Sequence, residues 1–192
     1  MFSRTDNGRV ISLPDEDVAD FLNEMADAAN YALRDMATVM PILKSVEIPQ
    51  EETAGSWVRY DLKVFAPDFM RLVPNRVTWT DGDEFEQGCE YRTDGPQGIL
   101  LRGRGRGAYT VWYEAYPEEV TAETPDDAVF SLAPEALDLV PVYMASRIYG
   151  EEDISLAVHY LNQYQARRGE LMARAAGLQT DGGGWRGDTG WW

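Results

Sequence analysis

The most constraining feature of this sequence is a change of periodicity across residues 109–164. The run Tyr-Thr-Val-Trp-Tyr that begins at residue 109 is typical of a β-strand. An acidic stretch containing Pro117 and Pro125 follows, and apolar residues then recur every three to four positions, as they do in amphipathic helices. A break at Gly150 divides this helical part in two. The chain is therefore expected to leave a sheet and form a helical hairpin.

A long helix is predicted near the start of the chain. Apolar side chains recur with helical spacing from Val18 to Val39, and acids at residues 15–17 suit the positive end of the helix dipole. Pro14 is compatible with a first helical turn, whereas Pro41 cannot continue the helix. These limits predict a helix of about 25 residues, roughly 38 Å long.

The middle of the chain is predicted to be β-rich. From Val46 to Val120 the sequence consists of short apolar and aromatic runs separated by glycine, proline, asparagine and aspartate. Turn signals occur at Asp81-Gly82 and Asp94-Gly95-Pro96. We expect a small antiparallel sheet or sandwich of four to six strands. The predicted strands cover residues 57–65, 75–80, 90–92, 99–101 and 108–116.

Two helices are predicted after the acidic link. The first starts near Pro134, with either a kink at Pro141 or a first turn displaced towards it. The second follows Gly150 and ends at Gly177. The predicted fold is therefore α+β, with a long N-terminal helix and an antiparallel helical hairpin packed as a small bundle. Its segments are residues 1–45 (helix), 46–121 (β-rich lobe), 122–177 (hairpin) and 178–192 (flexible arm rich in glycine and tryptophan).

Charge limits the partners of the chain. Its 17 basic and 33 acidic residues give a net charge of −16, so most of the surface should repel free nucleic acid. The acidity either serves solubility or forms a channel wall along which a polyanion slides. A sequence-specific DNA-binding protein is disfavoured. We also expect no targeting signal and no membrane span, because no apolar run approaches 20 residues.

One basic cluster stands out, formed by Arg102, Arg104 and Arg106 with glycines between them. In a strand these arginines would share one face. They are predicted to contact either DNA phosphates or acids of an adjacent subunit, for which the bidentate guanidinium is well suited. The third interpretation is a glycine-rich hairpin loop with solvated arginines.

No catalytic, cofactor or metal site is predicted. His159 is the only histidine and Cys89 the only cysteine, which excludes an internal disulfide and a cysteine-based zinc site. His159 is interpreted as a helix-surface or interface residue. The glycines at residues 103–107 lack the helix and acid of a dinucleotide fingerprint. Carboxylate pairs are numerous, but their spacing singles out none as an acid/base pair. We expect a protein that is not an enzyme.

The order of helix, β-rich middle, helical hairpin and tail resembles the head-to-tail adaptor proteins of tailed bacteriophages, also called head-completion or tail tubular proteins. The resemblance lies in the strand at residues 108–116, the link at 117–127 and the hairpin at 133–172. It implies a structural protein of the virion neck or tail, assembled in the host cytoplasm. The implied assembly is a ring of twelve copies between the portal and the next neck or tail protein. Double-stranded genomic DNA passes through this ring without sequence-specific binding.

The arm after Gly177 carries three of the six tryptophans. Exposed tryptophan gives no folding benefit, and it is enriched at binding hot spots. In the adaptor family, C-terminal extensions insert into the portal ring. The resemblance therefore implies portal docking by Trp185, Arg186, Trp191 and Trp192, whereas the alternative is that the arm folds back on its own sheet.

Two other classes of function remain open from the sequence. A carbohydrate-binding or tail-tip module is suggested by the β-rich middle and by the 11% aromatic content. It would require Trp57, Trp79 and Trp112 to face solvent in one groove. A hydrolase would require a cleft that unites His159 with an acid and a nucleophile.

Overall fold

The structure, a computed structural model, describes residues 3–6, 9–12, 15–50, 55–82, 84–125, 127–150 and 152–181. The chain divides into two compact units. The helical unit contains Met1–Met40 and Glu119–Trp192, and the β unit contains Pro41–Glu118. The predicted α+β class is confirmed, because long helices and antiparallel sheets occur in the same chain.

The helical unit begins with a β-hairpin of β1 (Ser3–Asp6) and β2 (Arg9–Ser12), followed by helix α1 (Asp15–Val39). The predicted helix of about 25 residues is confirmed, since α1 has 25 residues and stops before Pro41. One face of α1 is buried. It consists mainly of small and flexible apolar side chains, at Ala28, Ala29, Ala32, Leu33, Met36 and Ala37.

Three further helices complete this unit: α3 (Pro134–Leu137), α4 (Val140–Ile148) and α5 (Ile154–Asp181). Pro141 lies in the first turn of α4, so of the two predicted alternatives the structure has the first turn displaced towards Pro141 and not the kink. The predicted end at Gly177 is wrong, because α5 continues to Asp181. A glycine inside a helix costs only about 1 kcal/mol, and the alanines before it favour the helix. Among the described residues, no helix has the length and apolar composition needed to cross a membrane.

The β unit contains two antiparallel sheets. In chain order its elements are β3 (Ile42–Pro49), β4 (Trp57–Asp61), α2 (Leu62–Phe65), β5 (Phe69–Asp81), β6 (Glu84–Gln87), β7 (Tyr91–Asp94), β8 (Gly98–Arg102) and β9 (Ala108–Ala115). One sheet has the order β3-β9-β5-β6 and the other β4-β8-β7. Turns follow β5 at Gly82 and β7 at Gly95, as the turn signals predict.

The predicted strand at residues 57–65 is too long. Strand β4 ends at Asp61, whose carboxylate accepts a hydrogen bond from the backbone N–H of Lys63 at 3.0 Å. This bond caps the short helix α2, because an aspartate side chain satisfies a donor that the first helical turn leaves free. A local hydrogen bond therefore overrides the β propensity of Val64 and Phe65.

The core of the β unit is organised around β9. Its residues alternate strictly between half-buried and buried, and Tyr109, Val111, Tyr113 and Ala115 form the buried side. The neighbouring strand β5 places Val77 opposite Val111 and Trp79 opposite Tyr109. This period of two is the pattern of a sheet with one face in a core.

Candidate functional site

The predicted arginine cluster lies where the chain crosses from one sheet of the β unit to the other. Arg102 is the last residue of β8, and Arg104 and Arg106 belong to the connection that leads to β9. The connection is held in place by backbone hydrogen bonds, including one from Gln50 N–H to the carbonyl of Gly107 at 2.8 Å. The three arginines therefore do not lie on one strand.

Arg104 is the best anchored of the three. Its Nη1 lies 2.7 Å from Oε2 of Glu86, and its Nε donates to the hydroxyl of Tyr109 at 3.1 Å. The guanidinium also lies over the ring of buried Trp79, 4.8 Å from the ring centroid. The hydrogen bond to Glu86, followed by that to Tyr109, raises the pKa of Arg104, and the pKa of Glu86 is lowered by the same bond to Arg104. Arg104 thus connects β6, the connection and the core.

The two other arginines are more exposed, but each has an acidic partner. Arg106 pairs with Asp81, and its side chain is 76% exposed. Arg102 lies 3.7 Å from Glu90 and is about half exposed. All three arginines of the cluster therefore have partners within the β unit, and Arg106 presents the most guanidinium surface to a neighbouring molecule.

The tryptophans of the β unit do not form one groove. Trp57 lies under two guanidinium groups, those of Arg92 at 4.5 Å and Arg102 at 5.4 Å from its ring centroid. Trp79 is buried on the inner face of the four-stranded sheet, whereas Trp112 lies on the opposite face of that sheet. These positions do not create the shared solvent-facing surface that a carbohydrate-binding module would need.

A polar network connects α1 with α5 in the helical unit. Asp35 accepts two hydrogen bonds from Arg168, at 2.7 and 2.8 Å, and one from the hydroxyl of Tyr164, at 2.6 Å. Burial raises the pKa of Asp35, but the bonds from Arg168 and Tyr164 outweigh it and the net pKa is lowered. Burial, and after it the hydrogen bond to Asp35, raises the pKa of Tyr164 well above its ordinary value. Sequence periodicity did not indicate this network, since it joins residues 133 positions apart.

An aromatic pair lies beside this network. Tyr31 of α1 stacks on Tyr143 of α4 with a centroid separation of 4.9 Å, although Tyr31 is 59% exposed. A shallow groove of about 500 Å³ follows α1 on one side of Tyr31. Its lining is polar and mixed in charge, with Asp27, Asn30, Arg34, Asp35, Thr38 and Glu119. Such a surface suits a contact with another protein better than the enclosure of a small molecule.

The apolar residues of α5 divide between two faces. Ala157 and Tyr164 are buried, as the helical spacing predicts. Ile154, Val158, Leu161 and Met172 are exposed, with exposed fractions of 73%, 49%, 36% and 54%. Helical spacing alone does not separate this exposed set from the buried residues. The sequence does contain a sign of the exposed set: the apolar residues of α5 cover a wider arc of the helix than one core-facing stripe requires.

The residues considered for chemistry are not brought together. His159 is exposed on α5 and has an edge contact with the ring of Tyr160. Cys89 is buried, and burial raises the pKa of its thiol to about 11. Within the described ranges, no group of three or more histidine, cysteine, aspartate or glutamate side chains is placed to hold a metal ion.

The residues predicted to dock on a portal, Trp185, Arg186, Trp191 and Trp192, lie outside the described residues. Comparison with known proteins assigns no family to the chain. No model of a known protein family matches the sequence, and a search of curated proteins finds no match either.

Proposed function

We propose that this chain is a non-enzymatic structural protein of a tailed-bacteriophage virion. In this proposal it forms an adaptor ring that joins the portal to the tail and surrounds the DNA channel. The observation that carries the proposal is the construction of the helical unit from two chain segments, Met1–Met40 and Glu119–Trp192, on either side of an inserted β unit. This is the order of elements on which the resemblance to adaptors rests.

The proposed arrangement assigns a role to each part. Helix α1 and the hairpin of α4 and α5 form a small bundle directed towards the portal. The two sheets of the β unit form a sandwich that meets the next neck or tail protein. In this proposal Trp185, Arg186, Trp191 and Trp192 dock on the portal, where tryptophan anchors supply binding energy.

The charge distribution supports a channel that does not grip DNA. The net charge is −16, and the clustered Arg102, Arg104 and Arg106 each pair with an acid of their own β unit. Neutralised arginines release few counterions on contact with phosphate, so nonspecific DNA affinity is low. An acidic ring interior would let the genome slide during packaging and ejection. In the assembled ring, the exposed guanidinium of Arg106 can still contact a neighbouring subunit.

Native mass spectrometry tests the proposal. The full chain, a variant lacking residues 182–192, and a variant with Trp185, Trp191 and Trp192 replaced by alanine are each mixed with the portal ring of the same phage. Full-length protein is expected to add to the portal as a complete ring of twelve copies. Both variants are expected to lose this binding while keeping the helical content of the full chain. Full-length protein that does not bind the portal ring at micromolar concentration would contradict the adaptor function.

A further inference from the structure

We draw no further inference here: the strongest candidate, the exposed apolar side of α5 formed by Ile154, Val158, Leu161 and Met172, carries none because nothing in the described part of the chain shows what covers it.

Discussion

Asp35 of α1 binds the guanidinium of Arg168 of α5 through both carboxylate oxygens, at 2.7 and 2.8 Å. The two residues are 133 positions apart, and the whole β unit lies between them in the sequence. This bidentate pair therefore holds the two chain segments of the helical unit together. The side-chain amide of Asn30 donates to the carbonyl of Val120 and accepts from its backbone N–H, which adds a second link between the same segments.

Removing the carboxylate of Asp35 is expected to destabilise the protein. Asp35→Ala leaves the charged group of Arg168 and the hydroxyl of Tyr164 without their partner, and charge-assisted bonds of this kind contribute about 2 kcal/mol. The free energy of unfolding, measured by urea titration, should fall by about that amount. The control is Arg34→Ala, which breaks the exposed ion pair with Glu119 and should cost less than about 0.5 kcal/mol. A loss below about 0.5 kcal/mol for Asp35→Ala would contradict a stabilising role of the Asp35 network.

The same network predicts a loss of stability in acid. The pKa of Asp35 in the folded protein is lowered from an ordinary value of 3.8. A carboxylate with a lowered pKa stabilises the folded state above its ordinary pKa, and this contribution is lost as the pH falls through the lowered value. In Asp35→Asn this loss should be absent. The free energy of unfolding should therefore decline less steeply below about pH 4 than in the unsubstituted protein. Identical pH profiles would contradict the prediction.

The sequence specified the elements that depend on local pattern. The spacing from Val18 to Val39 and the prolines on either side defined α1 closely, and the alternation in β9 was equally clear. Predictions from the sequence were wrong where a single hydrogen bond or a single residue decides the local secondary structure. The Asp61 cap converts residues 62–65 into a helical turn, and β3 was not identified because it begins directly after Pro41. Helix α5 passes through Gly177 because the penalty of one glycine is small against a long helix.

The candidate sites were less predictable than the fold. The sequence identified Arg102, Arg104 and Arg106 as a cluster, but their partners Glu86, Glu90 and Asp81 lie 12 to 25 positions away and depend on how the strands pair. The Asp35 network joins distant helices, so no local spacing could indicate it. The exposed face of α5 was readable as an over-wide apolar pattern, yet only the burial of Ala157 and Tyr164 shows which side faces outward.

Two of the clustered arginines, Arg104 and Arg106, should differ in their effect on stability. Arg104→Ala removes bonds to Glu86 and Tyr109 beside the core and should cost about 1 to 2 kcal/mol. Arg106→Ala removes the pair with Asp81, whose side chain is only 18% exposed, and should cost about 1 kcal/mol or less, because the Arg106 side chain itself is 76% exposed. Urea unfolding followed by tryptophan fluorescence measures both. If Arg106→Ala is as costly as Arg104→Ala, Arg106 has a structural role, and its availability to a neighbouring subunit would be in doubt.

A methyl group at Gly107 of the β unit should be damaging for two reasons. Its φ of +85° is unfavourable for any side chain, and an added Cβ would lie 2.5 Å from the backbone oxygen of Thr80 and 2.9 Å from Nε1 of buried Trp79. Gly107→Ala should therefore lower the free energy of unfolding by about 3 kcal/mol, since strain and steric overlap add. Gly95 is the matched control, because its φ of +74° imposes the same backbone strain but a Cβ there meets nothing within 4 Å. Gly95→Ala should cost only about 1 kcal/mol. Comparable losses in the two variants would mean that backbone conformation alone, and not the close approach to Thr80 and Trp79, explains the need for glycine at residue 107.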